Sequence, residues 1–158
     1  TRLHPWVAGL SDGTIRLTVR SPVDPESLRG TIYHEFAHHL IRGIAPRVPG
    51  WIHEGIAQRA EGRDVGVAES RLRRERNLSA AELSIGILRQ PDPRAVRRFY
   101  DLALAFTSFL HRTGGDAAIL AVLHGLGAER SEHTLLTTHF GASPDELVAR
   151  WLDTLRSG

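Results

Sequence analysis

The sequence predicts an α+β class: a mostly helical domain preceded by a small N-terminal β-hairpin or sheet. Three observations carry this expectation. The first twenty residues alternate apolar and polar side chains around a turn. Almost everything after them divides into segments with helix caps at one end and glycine stops at the other. Within the first such segment, the run 33–40 reads YHEFAHHL, concentrating histidine in a chain that has nine of them.

Taken in order, Trp6-Val7-Ala8-Gly9-Leu10 forms the first strand and Ser11-Asp12-Gly13 the turn. Thr14 to Val19 forms the second strand, with Ile15, Leu17 and Val19 apolar between polar neighbours, as a half-buried strand requires. Asp24-Pro25 is a cap with proline at the first helical position, opening a helix that runs to about Arg42 and stops at Gly43. Pro49-Gly50 introduces a second helix from about Trp51 to Glu61. Ser79 with Glu82 makes a capping box for a short third. Asp92-Pro93 starts a long fourth helix that ends near Thr113, before Gly114-Gly115. Two shorter helices follow, Asp116 to His124 and Ser131 to Phe140, the latter stopped by Gly141. Ser143-Pro144-Asp145-Glu146 opens the last.

A chain of 158 residues is long enough for one domain with a real core, so residues 1–158 are read as a single unit. Beginning at Thr1 without any methionine, it reads as a piece of a longer product. No stretch reaches the length of apolar sequence that spans a membrane. All twenty basic residues are arginine, yet the net charge is only +2. The dense run of Arg71, Arg73, Arg74 and Arg76 is interleaved with Glu69 and Glu75 and carries no aromatic residue. It reads as a solvated helix face, and no nucleic-acid partner is expected. Cysteine is absent, which removes disulfides, thiolate ligands and cysteine nucleophiles together. Any metal must be held by histidine and carboxylate.

His34, Glu35 and His38 spell H-E-x-x-H. Positions i and i+4 of a helix point the same way, so both histidines can reach one ion. Glu35 sits beside the ligands, where a general base must be to take a proton from a metal-activated water. Leu28, Ile32, Tyr33, Phe36 and Leu40 fall on the opposite arc and are expected to face the core. A third ligand should come from a second element, and Glu54 in WIHEGIA is the strongest candidate. Glu54, Gln58 and Glu61 share one helix face; Glu61 then serves as a carboxylate that orients a ligating histidine, with direct ligation by Glu61 the alternative. His53 lies about 100° round the helix from Glu54 and is expected to leave the metal alone. His39 is expected to be hydrogen-bonded or partly buried.

HEFAHHL followed by PGWIHEGIA resembles the gluzincins, zinc metallopeptidases whose third ligand is a glutamate on a downstream helix. The W-x-x-E-G-x-A form is most similar to the compact bacterial peptidase MA-like domains, although the spacing between the second histidine and the glutamate is shorter than in the related aminopeptidases. Phe99-Tyr100-Asp101-Leu102-Ala103-Leu104-Ala105-Phe106 and the closing segment from Phe140 to Leu152 extend the resemblance along most of the chain. The resemblance implies a zincin-like domain with an active-site helix and a glutamate helix. It further implies Zn2+ as cofactor and a peptide or protein as substrate. Tyr100 is the residue matching a tyrosine that stabilises the oxyanion, and the strand Gly13 to Val19 matches an edge strand that receives extended substrate. An extracytoplasmic setting is compatible with the resemblance. A G-x-M-E-N-like segment is absent, which favours endopeptidase over aminopeptidase. The competing expectation is a zinc-stabilised binding or scaffold domain without turnover.

Overall fold

Among the described residues, helices build the fold. The computed structural model describes residues 9–11, 15–17, 24–75, 78 and 92–157. Among these, the helices are α1 (Pro25–Ile44), α2 (Gly50–Glu61), α3 (Val65–Leu72), α4 (Pro93–Gly127), α5 (Glu132–Phe140) and α6 (Pro144–Ser157). Two short strands, β1 (Gly9–Ser11) and β2 (Ile15–Leu17), pair antiparallel with Leu10 opposite Arg16.

The α+β expectation is therefore corrected: the described fold is all-α. A ribbon of two three-residue strands offers too little surface to form a layer of its own. The buried core is instead drawn from the helices and the corner between α5 and α6. The rest of the expected hairpin (Trp6 to Ala8, Asp12 to Thr14, Thr18 and Val19) and the Ser79–Glu82 capping box lie outside the described residues.

Local sequence chemistry sets the helix ends. The Asp24 carboxylate accepts from the Glu26 and Ser27 amides, with Pro25 pre-setting the first turn of α1. Gly43 does not end that helix. It continues to Ile44, where the Ala45 amide bonds back to Ile41 and Pro46 disfavours a further helical residue. Gly62, at φ 82°, closes α2 in the left-handed conformation, and the Arg63 amide returns to the Gln58 carbonyl. Within α4, Gly115 breaks the helix at φ 71° and ψ −175°, where the Gly114-Gly115 pair predicts it. The following segment then runs to Gly127 rather than to His124. Ser143 and Glu146 cap α6 reciprocally, as a capping box should. α3 was not anticipated as an element. Asp64 caps it, Arg71, Arg73 and Arg74 are exposed at and beyond its end, and Arg76 lies outside the described residues.

α2 is held between α1 and α4, and α3 and α5 pack on α4. The α2–α4 crossing is close: a Cβ on Gly55 would meet Thr107 Oγ1 and the Ala103 carbonyl oxygen. Beside it, Phe106 packs between Trp51 and Trp151, with ring centroids 5.0 and 5.4 Å away. This is the apolar centre.

On α1 the expected core face is reversed. Ile32, Tyr33, Phe36 and Leu40 are 42–51% exposed, and Leu28 is only half-buried. The side turned inward carries Glu35, Ala37, His38 and Ile41. The physical reason is the partner: α2 presents carboxylates towards α1, so the histidine face of α1 packs against it.

Candidate metal centre

The centre sits in the seam between α1 and α2. One helical turn separates His34 from His38, and their rings meet edge to face at 4.6 Å. From α2, Glu54 reaches both of them: Oε2 lies 3.7 Å from His34 Nε2, and Oε1 lies 3.7 Å from His38 Nε2. These separations are too long for hydrogen bonds. They suit a shared ion, because ligand atoms about 2.1 Å from a tetrahedral zinc stand about 3.4 Å apart. One ligand atom from each of His34, His38 and Glu54 falls within 4.8 Å of the others. Glu54 Oε2 is buried without a hydrogen-bond partner, an arrangement that a cation would complete. These residues fit a metal.

Glu61, one helix face further along α2, accepts a hydrogen bond from His34 Nδ1 at 3.1 Å. Its other oxygen pairs with Arg63 at 2.7 Å. Burial alone would raise the Glu61 pKa, but the bonds to His34 and Arg63 hold it below the usual range. An ionised carboxylate can only accept, so Nδ1 of His34 carries the proton and the Nε2 lone pair is turned towards Glu54. The structure thus places Glu61 against His34 Nδ1, the contact that the orienting role expected from the sequence would use.

Burial dominates the remaining electrostatics of the site. Burial lowers the His38 pKa to about 3, keeping the imidazole neutral and able to donate a lone pair. Burial raises Glu54 to about 7, with the Glu35 and Glu61 charges adding to the rise and His34 and Arg42 opposing it. At His34, burial lowers the pKa, but the Glu61 bond and the charges of Glu54, Glu61 and Glu35 outweigh it and the net shift is upward. Glu35 is 6% exposed, and burial raises its pKa, partly offset by His34 and Arg42. A carboxylate moved towards neutrality is better matched to general-base work at ordinary pH.

Tyr100 is half-buried on α4. Burial, with the charges of Glu54, Glu35 and Glu61, pushes its phenol well above the usual range, so it remains a proton donor. Its backbone carbonyl accepts from Gln58 Nε2 at 3.0 Å, tying the glutamate helix to the tyrosine helix. The structure thus brings Glu35, Glu54, Glu61 and Tyr100 within electrostatic reach of one another.

His39 differs from expectation, and His53 makes a contact that the sequence did not suggest. His39 is exposed, without the burial or hydrogen bond expected of it among the described residues. His53 stays out of the ligand set but stacks on the His38 ring at 4.1 Å and 28°. Its adjacency to Glu54 was visible in the sequence; the stacking was not, because it depends on how α1 and α2 cross.

No family model, curated protein or solved structure matches this chain. The reading of the site therefore rests on the chain's own geometry and on its two motifs.

Proposed function

We propose that this protein is a zinc-dependent peptide hydrolase of the gluzincin type, with endopeptidase activity favoured over aminopeptidase activity. The observation that carries the reading is the His34–His38–Glu54 set on the helix seam that also buries Glu35, which has no hydrogen bond or ion pair among the described residues. A site that served structure alone would more often have four protein ligands and no need of a neighbouring carboxylate.

His34, His38 and Glu54 would hold the zinc, which supplies Lewis acidity towards a carbonyl and makes a water easier to deprotonate. Glu35 takes the proton from the attacking water and delivers it to the leaving amine. Glu61 keeps His34 in the ligating tautomer. Tyr100 donates its phenolic hydrogen to the developing oxyanion, a contact worth about 3 kcal/mol when well placed.

The test combines elemental analysis with cleavage of quenched peptide libraries. Glu35→Gln should keep zinc at the parent's stoichiometry and lose about 100-fold or more of the hydrolysis rate. Full activity in that variant would overturn the general-base assignment. Full zinc occupancy in a parent that cleaves nothing, with or without chelator, would favour a zinc-stabilised binding domain instead.

A further inference from the structure

Two arginines place their charge on this centre. Arg63 acts on Glu61 and Tyr100, and it is engaged by Glu61 at 2.7 Å. Arg42 acts on Glu35, His38, His53 and Glu54. It is exposed and makes no ion pair or hydrogen bond among the described residues.

Its position is fixed by helix geometry. Residues 34, 38 and 42 form one i, i+4, i+8 row along α1, the row that carries both histidine ligands. Side chains on a helix lean towards its N-terminus, so Arg42 leans back over the turn bearing His38 and Glu35. A guanidinium on that row presents a planar fork suited to a carboxylate. Of the carboxylates already in the centre, Glu54 faces the histidines and Glu61 holds His34 and Arg63, while Glu35 is buried where Arg42 is exposed, and no ion pair joins the two.

We propose that Arg42 is a substrate-binding residue that takes a carboxylate of the peptide, about one helical turn, roughly 5 Å, from the His38 level. The inference rests on the hydrolase reading above and narrows its substrate class to peptides carrying a negative charge close to the scissile bond. A free C-terminus and an acidic side chain supply the same chemistry. A basic residue in the last turn of α1 also suits the helix dipole. That role alone would affect helix stability without distinguishing an acid from an amide.

The experiment uses three quenched, N-terminally blocked peptide libraries and the zinc-loaded protein. One library lacks Asp and Glu and ends in a free carboxylate; the second is its C-terminal amide; the third is an amide containing Asp and Glu. The parent should prefer the first or the third over the neutral amide, and whichever is preferred identifies the source of the carboxylate. Arg42→Ala should reduce that preference about tenfold, with Arg42→Lys retaining part of it. Equal cleavage of all three, or a preference undiminished in Arg42→Ala, overturns the assignment.

Calorimetry separates this result from failure of the hydrolase reading. Acetyl-tetraalanine acid, its amide, and a corresponding amide with a central glutamate are titrated into zinc-loaded Glu35→Gln protein with Arg42 intact or replaced by alanine. Tighter, Arg42-dependent binding of a charged peptide upholds the recognition site even where nothing is cleaved, and sinks only the hydrolase. Indifferent binding sinks the Arg42 role whatever the turnover.

Discussion

The two sides of α2 are built on opposite physical terms. Towards α4 it presents Trp51, Ile52 and Gly55, buried against Phe106, Ala103 and Thr107. That seam is stabilised by removing apolar surface from water, and its tightness depends on a glycine where the helices nearly touch. Towards α1 it presents Glu54 and Glu61, facing His34 and His38. Burying such groups costs free energy unless each finds a partner, and this seam leaves Glu54 Oε2 without one. The α4 side is closed mainly by apolar packing, with Thr107 Oγ1 its one buried atom without a partner among the described residues, whereas Glu54 Oε2, left over on the α1 side, is an atom that a cation would complete. On the proposed reading, metal affinity would be coupled to folding stability through the α1 side and independent of the α4 side.

The strongest way to break this contrast is to empty the apolar seam. Phe106 is 2% exposed between two tryptophans, so Phe106→Ala should cost about 4 kcal/mol. Urea denaturation with and without zinc should return the same cost. A cost that changed substantially when zinc was added would show that the two sides of α2 are coupled.

On the polar side the expected signature is pH dependence. The folded, metal-free protein holds the Glu54 proton up to about pH 7, while the unfolded chain releases it near its ordinary 4.5. Between those values the folded state binds more protons, so this group makes stability fall as pH rises. The stability of Glu54→Gln minus that of the parent should grow by on the order of 3 kcal/mol across that window. A difference that stays flat with pH would mean that Glu54 is not buried as described.

A smaller effect is expected from Glu61, which touches the ligand rather than the ion. Glu61→Ala should weaken zinc binding about 10- to 100-fold, read by competition with a chromophoric chelator. Unchanged affinity would show that the His34 tautomer is set by something else.

How much of this was legible follows the same division. Signals acting over three or four residues were readable: the Asp24-Pro25 cap, the Gly114-Gly115 break and the Ser143–Glu146 box all do locally what their chemistry requires. So was the spacing of His34, Glu35 and His38, because helix geometry alone puts the two histidines together. Glu54 could be nominated from its motif and its helix face. What the sequence did not reveal depends on long-range packing. A strand pattern in the first twenty residues says nothing about whether a sheet layer will form, and among the described residues only a short ribbon does. The stacking of His53 on His38 exists only once α1 and α2 have crossed.

The orientation of α1 is the sharpest case, and it supports the smallest prediction. Apolar periodicity assigns Ile32, Phe36 and Leu40 to a core, yet Phe36 is 48% exposed and its neighbours in the row are similar. Periodicity identifies an apolar face without identifying what covers it; here the carboxylates of α2 claim the other side. Phe36→Gln should therefore change stability by no more than about 0.5 kcal/mol, as for other exposed positions, and should leave zinc affinity alone. A loss of several kcal/mol on urea denaturation would place Phe36 in a buried contact. The two faces of α1 would then both be interior, and the contrast drawn across α2 would hold for α2 alone.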